Sequence, residues 1–210
     1  MAVTIIVPII VSVLSVIAAY LIGSINSSIL ISKAVSGKDI RESGSGNAGA
    51  TNMLRTMGKK YAVITLVIDI IKGVAAVLLA RAAVAFGAYE QCVYLAGLAV
   101  CAGHCFPVFF GFRGGKGVAT GLGVLFMWNW QTALIVLAVA LIIMAATRYV
   151  SLGSIIAAVL FAVLETINLR GNAVGIACVI AVAAHLVWEH RGNIASLAKG
   201  EENKLGAKKK

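Results

Sequence analysis

The residues best suited to chemistry lie in three short strings separated by long apolar runs. The first is Gly44-Ser45-Gly46-Asn47-Ala48-Gly49-Ala50-Thr51-Asn52, with Arg55 just beyond. Small residues, hydroxyls and amides at this density let a loop aim several backbone N–H groups at one anion. A guanidinium beside it can hold two oxygens of a phosphate at once. The spacing Gly44-x-Gly46-x-x-Gly49 matches the dinucleotide fingerprint by letter, but that fingerprint needs a preceding strand, and here an apolar run precedes it.

The second string runs from Gly103-His104-Cys105-Phe106-Pro107 through Gly111-Phe112-Arg113 to Gly114-Gly115-Lys116-Gly117-Val118-Ala119-Thr120. It resembles a nucleotide P-loop without being one. Only three residues separate Gly111 from Gly115-Lys116, and Gly117 stands where Ser or Thr should hold magnesium. What remains is a glycine turn entering a helix, with a lysine at the positive end of the helix dipole: a phosphate cradle. The third string is Trp188-Glu189-His190-Arg191-Gly192-Asn193-Ile194, followed by Gly200-Glu201-Glu202. His190 and Asn193 share a face if the helix continues, and an exposed His190 at the end of the last apolar run is suited to proton transfer.

Other polar residues read as structural. Asp69 and Lys72 sit three apart inside an apolar run, where each unpaired charge would cost about 2.5–3.5 kcal/mol or more, so they are expected to pair with each other. His104 and His185 read as packed histidines, and Gly171-x-x-x-Gly175 as a helix-packing motif. The cysteines at 92, 101, 105 and 178 form no CxxC pair. Cys101, His104 and Cys105 lie on one turn with no partner cluster elsewhere, so no metal site is expected.

The elements that must position these strings are membrane helices. Apolar residues make up 60% of the chain and charged ones 12%, with a mean hydropathy of +0.98. No charge occurs before Lys33, and about 20 apolar residues already span a bilayer. In hydrocarbon every backbone amide needs an internal partner, so such runs become helices. An all-α integral membrane protein of about seven segments is expected, at 3–32, 61–84, 91–103, 118–128, 131–147, 152–166 and 173–189. With the N-terminus outside, 15 of the 18 Lys and Arg residues fall on the cytoplasmic side together with all three strings. The net charge of +10 is thereby explained, and the lysines at 208, 209 and 210 read as a lipid-facing tail rather than a nucleic-acid surface. The first run lacks a basic leader region and reads as a retained anchor. A transporter would call for internal repeats and ion-binding groups at mid-membrane, and neither is legible beyond Asp69 and Lys72. For a scaffold that merely binds lipid, the lysine tail alone would suffice.

Taken together, the strings resemble the bacterial acyl-phosphate:glycerol-3-phosphate acyltransferases over positions 23 to about 204. The chain departs from the usual pattern at Asn26-Ser27, where a proline-containing turn is common, and at Ser196, where a basic residue is common. The resemblance implies a single membrane-embedded domain over 1–210 with a basic tail from 198, at the cell membrane, with its site facing the cytoplasm. It implies transfer of an acyl group from acyl phosphate to glycerol 3-phosphate, with no cofactor and no obligatory protein partner. Carried over by position, it implies Ser45, Arg55, Lys116, His190 and Asn193 at the acceptor, and Gly114, Gly115 and Gly117 around the donor phosphate. Thr51 and Ser154 are implied on the donor side, and Asn47, Asn52 and Thr120 complete the candidate set. Single cysteines at positions 47, 116 and 193 are expected to react alike with an impermeant thiol reagent from one side of sealed vesicles; labelling from opposite sides would dismantle the topology.

Overall fold

The computed structural model describes residues 2–206; the lysines at 208, 209 and 210 lie outside the described residues. Among the described residues all regular structure is helical, and it falls into two compact units, one up to Trp128 and one from Asn129 onward.

The first unit contains α1 (Ala2–Ser24), α2 (Ser27–Ser36), α3 (Ala50–Thr56), α4 (Lys59–Ala85), α5 (Cys92–Cys105) and α6 (Val118–Trp128). The second contains α7 (Trp130–Thr147), α8 (Val150–Asn168), α9 (Ala173–Glu189) and α10 (Arg191–Ala198). All seven expected segments appear, but not all are long enough to cross a bilayer. Five stretches have the length and apolarity, Ile5–Ser36, Lys59–Ala85, Cys92–Phe110, Trp130–Thr147 and Val150–Asn168. Ala173–Glu189 and Arg191–Ala198, bent by 53° between them, make a sixth if taken together. At 11 residues, α6 rises only about 16 Å.

The first apolar run is interrupted at Ile25 and Asn26 without a proline. Asn26 caps α2 instead, its side-chain oxygen accepting from Ile29 N at 3.1 Å and from Ser28 Oγ at 2.8 Å. The region between 33 and 60, expected as a polar connection, also holds a short 3-10 turn, Ile40–Glu42, and α3. Met53 on α3 is buried with Ile29, Ile40, Ala48 and Ala62 in a small core. Gly171-x-x-x-Gly175 does not pack helices, because Gly171 adopts φ 89° in a turn and Asn172 caps α9 through Gly175 N at 2.8 Å.

Asp69 and Lys72 pair as expected, at 3.1 Å, but within a larger buried network. Lys72 Nζ also donates to Gly23 O at 3.2 Å and Ile25 O at 3.0 Å, carbonyls beside the break between α1 and α2. Ser27 Oγ donates to Asp69 Oδ1 at 2.8 Å, and His104 Nδ1 lies 2.8 Å from Lys72 Nζ.

Glycines set how closely these helices cross. A methyl group on Gly23 would overlap Val100 O and one on Gly103 would overlap Tyr20 O, so α1 and α5 touch through their backbones. Gly73 meets Thr120 O and Gly123 meets Ile70 O in the same way between α4 and α6. Gly73→Val is expected to destabilise the protein by about 1–3 kcal/mol through overpacking, read as a lowered unfolding midpoint in detergent; an unchanged midpoint would show that α4 and α6 separate freely.

Candidate active site

In the first unit the structure joins the two glycine strings. Arg41, at the surface of the first loop, sends Nη1 to Phe110 O at 2.7 Å and Arg113 O at 2.8 Å in the second. Its Nε and Nη2 meanwhile grip Asp39 at 3.0 and 2.8 Å. These bonds hold the Asp39 carboxyl well below the usual carboxylate range, at about 2, against the opposing effect of burial. The stabilisation is therefore complete above the ordinary carboxylate pKa and is lost only as pH falls through about 2. At the inner edge of the loops a methyl group on Gly115 would stand 2.5 Å from Ala48 O.

Asn52, expected to bind substrate, is fully buried and shapes the first loop. Its Oδ1 accepts from Ser45 N at 2.9 Å, while Nδ2 donates to Ile40 O at 3.1 Å and Ser43 O at 2.9 Å. Gly44 takes φ 63° over this amide, and a side chain there would overlap Asn52 Oδ1. The first loop therefore differs from an open nest of amides: Ser45 N serves Asn52, Gly46 N donates to Ser43 O and Gly49 N to Asn47 O. Its outward groups are the exposed Ser45 and Arg55, with Asn47 and Thr51 half-buried.

In the second loop Gly114 N donates to Cys105 O at 2.9 Å and Gly115 N to His104 O at 3.1 Å. These two amides fold the loop back on the end of α5, and the glycines are needed because any side chain would strike His104 or Cys105. Those two amides are therefore occupied, and the part of this string with unclaimed helix-start amides is the beginning of α6. There Gly117 (φ 81°) turns the chain, and the first amides of the helix lack partners one turn earlier. Lys116 is half-buried immediately before that turn. Thr120 is fully buried against α4, its Oγ1 without a hydrogen-bond partner among the described residues, so it packs the helix crossing.

In the second unit His190 is not exposed as expected: only 4% of it is accessible. The helix does not continue through it. His190 forms the bend between α9 and α10, and its ring turns back so that Nδ1 meets Leu186 O at 2.7 Å. A carbonyl only accepts, so Nδ1 carries the proton and a neutral ring is left with its lone pair on Nε2. Asn193, half-buried, donates through Nδ2 to Glu202 Oε1 at 2.7 Å. Ser151 Oγ reaches the same oxygen at 2.7 Å. Arg148 completes the clasp, with Leu205 N donating to its carbonyl at 2.7 Å and Nη2 to Leu205 O at 2.9 Å. Glu202 and Leu205, within the expected basic tail, are thus tied to Asn193, Ser151 and Arg148. Ser154 is buried with its hydroxyl on Val150 O at 2.9 Å.

Residues 13–200 match the family described as glycerol-3-phosphate acyltransferase. The chain belongs to that family. It is similar to the glycerol-3-phosphate acyltransferase of Clostridioides difficile (strain 630), 41% identical over 198 residues that span 92% of this chain and 95% of that one. It is also similar to a solved structure, PlsY, an integral membrane glycerol 3-phosphate acyltransferase. In its glycerol 3-phosphate form the TM-score is 0.85 at 41% identity, covering 93% of this chain and 96% of that one. In its lysophosphatidic acid form the TM-score is 0.80 at 41% identity, covering 93% and 95%. The helices found here are those of an integral membrane protein.

This member of the glycerol-3-phosphate acyltransferase family contains parts that motif reading passed over. Arg41 and Ser151 lie outside the three strings and hold them, Ser27 fixes Asp69, and Glu202, part of the third string, is the residue that fastens it. Two signals were available: charges in or beside apolar runs, and the serine cluster at 24, 27 and 28. Asn52→Ala is expected to cost about 1–3 kcal/mol, because backbone groups buried around it lose their partners; its thermal midpoint and the protease sensitivity of positions 43–49 measure this, and a wild-type midpoint would show the loop to be self-supporting.

Proposed function

We propose that this chain transfers the acyl group of a long-chain acyl phosphate to glycerol 3-phosphate, giving lysophosphatidic acid and inorganic phosphate. The acceptor hydroxyl oxygen attacks the acyl carbon, the bond from that carbon to the phosphate oxygen breaks, and phosphate leaves. The hydroxyl proton passes to His190 Nε2 or to a phosphate oxygen of a substrate. Family membership supports the acceptor, as do the glycerol 3-phosphate and lysophosphatidic acid forms of the PlsY neighbour. The observation that carries the reading is the tie between the two glycine loops. It sets exposed Ser45 and Arg55 on a loop anchored by Arg41 to the one that presents Lys116 at a helix start.

Both substrates carry phosphate and the donor carries an acyl chain, which suits anion-binding loops on a membrane protein. An acyl phosphate is already activated, so positioning and charge stabilisation suffice, without a covalent acyl-enzyme, a metal ion or another cofactor. We assign Ser45, Arg55, Lys116, His190 and Asn193 to the acceptor. The turn Gly114–Gly117, with Thr51 and Ser154, is assigned to the donor phosphate. Asn47 is a supporting contact. We assign residues 1–210 to one acyltransferase domain, placed in the cell membrane with its site towards the cytoplasm and without an obligatory protein partner.

Purified protein given acyl phosphate and glycerol 3-phosphate, with EDTA present, is expected to release lysophosphatidic acid and phosphate in equal amounts. Failure to form product, uptake of glycerol 3-phosphate into vesicles without acylation, or label retained on protein from the donor alone would overturn the reading. His190→Gln then locates the proton: a loss of roughly 10²–10⁴-fold in kcat makes His190 the base, and a smaller loss assigns the proton to a substrate phosphate.

A further inference from the structure

The buried network around Lys72 ends beneath the glycine loops, at His104, which lies outside the assigned substrate contacts. His104 is the penultimate residue of α5 and is only 3% accessible. Its Nδ1 lies 2.8 Å from Lys72 Nζ. An ammonium has donors and no acceptor, so Nδ1 must accept that bond. A neutral imidazole accepting at one nitrogen carries its hydrogen on the other, which places the His104 proton on Nε2. Asp69 Oδ1 lies 3.1 Å from the ammonium and 3.7 Å from Nδ1, and it shares the two remaining N–H groups with Gly23 O and Ile25 O. The charge that sets the tautomer is therefore fixed from three helices, α1, α4 and α5.

Nε2 faces the point where the two loops meet. A methyl group on Gly115 would overlap Nε2 and would stand 2.5 Å from Ala48 O, so the ring nitrogen and the first loop's carbonyl flank one narrow slot in the second loop. With hydrogen on Nε2 the ring places the positive end of an N–H in the slot that Ala48 O also borders. In the other tautomer a lone pair would stand there beside that oxygen. Asn26 Nδ2 also donates to Ala48 O, at 3.5 Å, a long bond that leaves the carbonyl capacity for a second donor.

We propose that His104 is a positioning residue of the acyl-transfer site: Lys72 and Asp69 fix its proton on Nε2, and this holds Ala48 of the first loop against Gly115 of the second. The proposal rests on the acyl-phosphate reading for the reaction it serves, but not for the tautomer itself. Ser45 and Arg55 lie on the loop that Ala48 anchors, and Lys116 adjoins Gly115, so a shift at this slot misaligns acceptor and donor without removing a group that binds either.

Two variants and one spectrum test it. In His104→Asn the side-chain oxygen can still accept from Lys72, but nothing extends to the slot. In His104→Gln the terminal amide can place an N–H near the Nε2 position. His104→Asn is expected to keep the wild-type unfolding midpoint within a few degrees and to lower kcat by roughly ten- to a hundredfold through misalignment. Its KM for each substrate should change less than about threefold, as expected when orientation rather than binding is lost. His104→Gln should recover most of that kcat. Nitrogen-15 spectra of ring-labelled wild-type protein should show a protonated Nε2 and a bare Nδ1 for His104, whatever the activity. A proton on Nδ1, a His104→Asn kcat within twofold of wild type, or equal losses in both variants would overturn the proposal. An inactive wild type with the Nε2 proton in place would instead overturn the acyl-phosphate reading.

Discussion

An ammonium group on the inner face of a membrane helix must be surrounded by oxygen and nitrogen, because the hydrocarbon around it offers neither. At Lys72 the requirement is met by an anion on the same helix, two main-chain carbonyls and an imidazole. The carbonyls are available because the first apolar run breaks at Ile25 and Asn26, where the helix no longer claims every acceptor. A helix break in lipid would ordinarily leave costly unpaired groups. Here the cation and the break each supply what the other lacks, and Ser27 supplies the second contact to Asp69. The start of α2, the middle of α4 and the end of α5 are fixed relative to one another by this exchange, and the glycine loops are built on that fixed point.

The loops themselves use glycine differently from a simple phosphate nest. At Gly114 and Gly115 the missing side chain lets the loop lie against α5, while their amides are occupied by carbonyls of His104 and Cys105. The first loop likewise turns its amides inward on Ser43, Asn47 and Asn52. Rigidity is the result. A reaction whose donor is already activated gains most from groups held in register, and loops stapled to helices by their own backbone hold register better than flexible ones. In the second unit Glu202 plays the comparable part, fastening Asn193 and Ser151 through one carboxylate oxygen.

Much of this was legible in the residues alone. Uncharged runs gave the helices to within a few residues, with Val118–Trp128 and Ala173–Glu189 at the expected limits, because burial in lipid leaves hydrophobicity as the dominant signal. Short polar elements were harder. α3 carries one buried apolar residue, Met53, too little for periodicity to reveal. His190 read as exposed because Arg191-Gly192-Asn193 follows it, but a 53° bend at that residue folds the ring inward. The role of Asn52 depends on three backbone groups that only the folded loop brings within reach. The pairing of Asp69 with Lys72 could be inferred from the cost of burying charge, whereas the addition of His104, 32 positions away, could not.

The glycine crossings of the first unit bear on how the protein meets membranes of different thickness. Where α1 passes α5 and α4 passes α6, main chain rests on main chain, with no flexible side chains between to act as bearings. Such a seam resists sliding and stretching along its length. A bilayer thicker or thinner than the apolar span must then be matched by tilting the block or by deforming the lipid around it, and the depth of the glycine loops within the unit stays constant while the surrounding leaflet adjusts.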